Sequence, residues 1–129
     1  MPDPSDAEFD VLKLFWKDGP LSAREVHDRI GPQLGWASST TRTVLDRMCG
    51  KGLLTRREQG GVAVFAPGES KVDVVGRALT KFARRVLEID GPLSAQAFTG
   101  SQLLNADEIA QLQALLDIDK PQSDDEDRS

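Results

Sequence analysis

The spacing of apolar residues switches from helical to strand-like at Gly52, and that switch limits the fold more than any other feature of the chain. Ser5 and Glu8 form a capping box ahead of Val11, Leu12, Phe15 and Trp16, which predicts a first helix from about Asp6 to Lys17, stopped by Asp18-Gly19-Pro20. Ser22 and Glu25 repeat the box ahead of Val26 and Ile30, so a second helix ends near Gly31-Pro32. A third runs within Trp36 to Gly52, capped by Ser38 or Ser39 and closing at Gly50 to Gly52. Then Leu53-Leu54-Thr55-Arg56-Arg57 and Val62-Ala63-Val64-Phe65-Ala66 read as strands, with Glu58-Gln59-Gly60-Gly61 as the tip between them. With Pro20-Leu21-Ser22 available as a third strand, this is the element order of a winged helix-turn-helix, and Pro67-Gly68 closes the unit at about residue 68.

The third helix has two faces of different chemistry. Thr41, Val44, Leu45 and Met48 fall at i, i+3, i+4 and i+7, one stripe for burial. The other face carries Ser39, Thr40, Arg42, Thr43 and Arg47, hydroxyls interleaved with guanidinium groups of the kind that reach base edges and phosphates in a DNA groove. A plain solvated face with an Arg42 and Asp46 pair is the common alternative. A third helix followed by a basic hairpin favours a recognition helix instead. In that geometry the N-terminal part approaches bases, so Ser39, Thr40 and Thr43 are base-edge candidates, Arg42 suits either base or phosphate, and Arg47 suits phosphate. Arg56 and Arg57 alternate across their strand, so one of them at most faces the duplex; Arg57 is favoured here, and edge-strand gatekeeping is the other reading.

A net charge of −5 runs against DNA binding until its distribution is followed. Residues 38 to 57 hold five basic side chains against Asp46, whereas residues 117 to 129 hold six acidic against Lys120 and Arg128. An acidic tail therefore masks a basic patch, and its composition predicts disorder over 119–129. The longest apolar runs fall far short of the roughly 20 residues needed to cross a bilayer. The acidic start Met1-Pro2-Asp3-Pro4-Ser5-Asp6 does not resemble a secretion signal, so a cytoplasmic protein without membrane insertion is expected. One cysteine, Cys49, and one histidine, His27, leave no disulfide, zinc cluster or catalytic triad to assemble; they read as a small residue near the core edge and a surface polar group. No enzyme activity, metal or cofactor is expected.

The second half follows another plan. After Ser70 and Asp73, the residues Val72, Val75, Leu79, Phe82, Val86 and Ile89 recur at alternating intervals of three and four, a heptad-like seam broken by Asp90-Gly91-Pro92. A short helix is expected between Ala95 and Leu104, and Asn105 with Glu108 caps a last helix carrying Ile109, Leu112, Leu115 and Leu116. Packing on the N-terminal unit is the plain reading of such a seam. A two-fold homodimer through residues 69–118, with Ile109, Leu112 and Leu116 beside the seam, buries the same stripe and supplies two DNA half-sites about 34 Å apart. The expected class is thus mainly α with a small β-hairpin: a winged helix-turn-helix followed by a helical dimerisation region.

Ser5 to Leu12, Phe15-Trp16, Gly19 to Val26 and Trp36 to Gly52, with Leu104 to Leu116 as a final helix, together resemble the penicillinase-repressor family (BlaI/MecI/CopY) of bacterial transcriptional regulators. The resemblance implies a homodimeric winged-helix repressor on a palindromic operator of double-stranded DNA, often controlling β-lactam resistance or metal homeostasis genes. Ser39, Thr40 and Arg42 fall where the family's base-contacting residues lie, although many members carry lysine at the place of Ser39. In the β-lactam branch a membrane sensor triggers cleavage of the repressor, and Ala97-Phe98 matches the cut site; the copper branch ends in a cysteine-rich hook with no counterpart here. Two rival readings remain: a winged-helix module that docks a protein rather than DNA, and a regulator released by a small ligand held in its C-terminal half.

Overall fold

The computed structural model describes residues 3–118. Among them the elements follow in the order α1 (Asp6–Asp18), β1 (Leu21–Ser22), α2 (Ala23–Ile30), α3 (Ser38–Gly50), β2 (Leu54–Gln59), β3 (Val62–Pro67), α4 (Lys71–Arg85), a 3-10 turn at Ala95–Phe98, and α5 (Ala106–Ile118). The chain divides into two compact units, with the boundary between Ser70 and Lys71.

In the first unit both expected capping boxes form. The Ser5 hydroxyl accepts from the Glu8 N–H at 3.2 Å while the Glu8 carboxylate accepts from the Ser5 N–H at 2.9 Å, and Ser22 and Glu25 repeat the arrangement. Each satisfies N–H groups that a helix start leaves open, worth about 1 kcal/mol. The third helix departs from expectation: Ala37 is its N-cap, with no side-chain cap, so neither Ser38 nor Ser39 is used up in capping. The three helices bury Val11, Leu12, Phe15, Val26, Val44, Leu45 and Met48, each at most 5% exposed. Leu21, Leu53, Leu54 and Phe65 from the sheet are buried as well.

The sheet is antiparallel in the order β1-β3-β2, so the Leu21–Ser22 segment does supply a third strand. The ladder continues to Gln59 opposite Val62, which shortens the expected four-residue tip to Gly60-Gly61. Their φ angles of 58° and 80° are those of a two-residue turn that needs left-handed backbone at both positions, which glycine adopts without strain.

The second unit packs α4 and the 3-10 turn against α5 around Val72, Ala95, Leu104, Leu112 and Leu116. Asn105 and Glu108 cap α5 reciprocally, and Lys71 pairs with Glu108 at 3.0 Å while donating to the Leu103 carbonyl at 2.8 Å. The apolar seam outlasts its helix, because α4 ends at Arg85 and leaves Val86 and Ile89 beyond it. The chain turns off there: Glu88 adopts φ 55°, the Ile89 N–H bonds the Ala83 carbonyl, and Arg84 donates to the carbonyls of Ile89 and Gly91 at 2.8 and 2.7 Å. Between Ala95 and Leu104 the helix is a single 3-10 turn. Residues 119–129, where a disordered tail is expected, lie outside the described residues. Among those residues no helix is long and apolar enough to cross a membrane.

Candidate nucleic-acid interface

The packing of α3 on α2 decides which face of α3 is presented. Thr41, Val44, Leu45 and Met48 are all buried, as the spacing requires. Thr41 brings a hydroxyl into that stripe, and His27 of α2 meets it, Nδ1 lying 2.7 Å from Oγ1. The ring stacks where any side chain on Gly31 would collide with it, so glycine at position 31 makes room for the bond. His27, expected at the surface, is therefore a half-buried tie between the two helices. Cys49 is half-buried, as expected, and burial followed by the nearby Asp46 charge pushes its thiol upward, so it remains a neutral thiol.

With that stripe hidden, Ser39, Thr40, Arg42, Thr43 and Arg47 are all exposed on the opposite side. They are not equally free. The Thr43 hydroxyl donates to the Ser39 carbonyl at 3.0 Å, which leaves it able to accept from a ligand and to offer its methyl group but not to donate. Among the described residues nothing holds the side chains of Ser39, Thr40 or Arg42.

Toward its C-terminal end α3 is tied down. Glu8, 2% exposed, receives Lys51 Nζ at 2.6 Å and Arg47 Nε at 3.6 Å, and Lys51 also donates to the Asp3 carbonyl. Burial alone would raise the Glu8 pKa. The Lys51 hydrogen bond, the Ser5 N–H and the charges of Lys51 and Arg47 outweigh it and hold the carboxyl below its ordinary value. Nothing in the sequence signals this clamp, because Glu8 already has a local role in the α1 capping box. Arg47, the phosphate candidate, thus shares its charge with Glu8, although more than half of its side chain stays in solvent.

Strand register separates the hairpin arginines. Arg56 lies opposite buried Phe65 and shares a strand face with buried Leu54, whereas Arg57 lies opposite Val64 on the other face. Arg56 consequently lies on the strand face turned toward α3, and Arg57, favoured from the sequence for the duplex, lies on the opposite face. Arg56 borders a cleft of about 330 Å³ together with Arg24 at the start of α2 and Arg42 and Asp46 on α3. Arg24 was given no role by the sequence, since nothing local marks it.

A family model described as Penicillinase repressor matches residues 4–118 of this chain. The chain belongs to that family. It is 29% identical over 122 residues to the penicillinase repressor of Bacillus licheniformis, covering 93% of this chain and 94% of the relative. To the methicillin resistance regulatory protein MecI of Staphylococcus aureus strain N315 it is 24% identical over 112 residues, 87% of this chain and 91% of that protein. The solution structure of the monomeric form of Bacillus licheniformis BlaI in complex with the blaP half-operator is similar with a TM-score of 0.51 and 33% identity, over 56% of this chain and 88% of that one. The winged-helix fold and the resemblance read from the sequence are thereby shown, and the family is one of transcriptional repressors and not of enzymes.

In this family member the residues expected at a dimer interface are divided by the second unit's own packing. Val72, Leu112 and Leu116 are buried in that unit's core, and Val75, Leu79 and Ile109 lie half-buried against it. Phe82, Val86 and Ile89 are left exposed at 53%, 60% and 38%. Ala97 and Phe98 occupy the 3-10 turn, both exposed.

Proposed function

We propose that this chain is a cytoplasmic repressor that binds operator DNA as a homodimer, with α3 in the major groove and the hairpin against the backbone. The observation that carries this reading is the exposed N-terminal half of α3, where the side chains of Ser39, Thr40 and Arg42 have no partner among the described residues while Thr41, Val44 and Leu45 are locked into the core. Arg42 is the residue whose fork suits guanine, Ser39 and Thr40 reach neighbouring base edges, and Thr43 offers its methyl group and a lone pair. Arg47 acts on phosphate. The BlaI neighbour is in complex with the blaP half-operator, which supports operator DNA as the partner.

Exposed Phe82, Val86 and Ile89 give a second copy an apolar surface to cover, and a two-fold pair suits a palindromic operator. Footprinting of the DNA upstream of its own gene is expected to show two protected half-sites in inverted orientation, one helical turn or a multiple apart. Absence of any protection at low salt contradicts the reading, and binding of a protein without affinity for duplex DNA would replace it with the docking-module function. A specific observation also favours release by proteolysis through a membrane sensor system: Ala97-Phe98 sits on a single exposed turn, which a protease can open at small cost. Induced cells carrying Phe98→Asp should retain intact repressor, and cleavage of that variant at the wild-type rate counts against the site.

A further inference from the structure

We infer that the cleft between α2, α3 and the hairpin seats one backbone phosphate of duplex DNA, gripped by Arg24 and Arg56 with Arg42 at its rim. This rests on the operator-binding reading and adds two residues to it. Three guanidinium groups from three different elements border this one cleft, with Asp46 as the acidic neighbour. Several other cations among the described residues have partners: Arg29 pairs with Asp18, Arg47 and Lys51 with Glu8, Lys71 with Glu108, and Arg84 with two carbonyls. Among the described residues neither an ion pair nor a hydrogen bond engages Arg24, Arg42 or Arg56. Like charges gathered around one concavity repel each other when it is empty, and an anion reverses the sign of that interaction.

A phosphate is the anion that fits best. Guanidinium forks match its oxygens in pairs. Its position agrees as well. In helix-turn-helix docking the first of the two helices crosses the sugar-phosphate backbone while the second enters the groove. Arg24 stands at the start of that first helix, and it borders a second cleft shared with Asp28, Ser38 and Arg42. Asp46 in the same cleft limits the attraction, so its removal should strengthen binding to any duplex.

The test is a methylphosphonate scan, in which each phosphate of the footprinted half-site is replaced in turn by a neutral group and binding to the full chain is measured. At one position the neutral group should weaken wild type about tenfold, and the double variant R24Q/R56Q should be insensitive at that position alone. The double variant should also lose affinity for operator and scrambled duplex alike and lower the slope of log K against log salt by about one, while Asp46→Asn tightens both. Matching melting curves for wild type and variant exclude a folding defect. Identical scan profiles for the two proteins overturn the phosphate seat while leaving base reading by α3 intact. Failure of wild type to bind any duplex removes both, and loss of operator preference with an unchanged scan difference removes base reading alone.

Discussion

At the C-terminal end of α3, Arg47 and Lys51 reach the buried carboxylate of Glu8 and are held against α1; at the N-terminal end, Arg42, Ser39 and Thr40 have no side-chain hydrogen bond or ion pair among the described residues. Both ends are cationic, so charge alone does not mark the functional one. What separates them is whether a counter-charge is already built in. A cation that completes a buried acid is chiefly structural, because removing it strands a charge, whereas a cation kept solvated and unpaired has nothing to lose on meeting a phosphate or a guanine.

Substitutions at the two ends should therefore differ in how far they lower stability and in whether the loss of DNA binding depends on sequence. The largest effect is expected from Glu8→Ala, which removes the acid joining α1 to α3 and should lower stability at neutral pH by about 3 kcal/mol in chemical denaturation. Its pH dependence has a fixed sign. The folded-state pKa of Glu8 is depressed, so the stabilisation is fully present above the unfolded value and is lost as pH falls through the lower folded one; wild type and Glu8→Gln should converge in acid. Arg42→Ala comes next, with about 2 kcal/mol of operator preference lost and stability unchanged, read by competition with scrambled duplex. His27→Ala leaves the buried Thr41 hydroxyl without that partner and should cost about 1 kcal/mol of stability, which His27→Ala with Thr41→Val should largely restore. The smallest change belongs to Arg47→Ala: a few tenths of a kcal/mol in stability and a uniform, modest weakening on all DNA sequences. A selective loss of operator preference in Arg47→Ala would erase the contrast between the two ends.

Much of this division was legible in the linear sequence because it depends on near neighbours. The capping boxes at Ser5, Ser22 and Asn105 and the i, i+3, i+4, i+7 stripe of α3 are local patterns, and they placed the helices and the exposed face. The rest needed distant residues. Lys51 meets Glu8 across 43 positions and His27 meets Thr41 across 14, and neither pairing has a local signature. The parity of Arg56 and Arg57 is a different case. Leu53 and Leu54 are both apolar, so counting alternate residues from the sequence cannot choose a face, and only the ladder beginning at Leu54 opposite Pro67 settles it. The seam after α4 misleads for a similar reason, since Val86 and Ile89 keep its rhythm although the backbone has already turned away.

The most direct measurement is a fluorescence anisotropy titration of the full chain against the duplex upstream of its gene and a scrambled duplex of equal length, repeated at several salt concentrations. About a thousandfold or greater preference for the first is expected, with affinity for both falling steeply as salt rises. Equal, salt-insensitive affinity for the two duplexes, or none for either at low salt, would contradict the proposed repressor function.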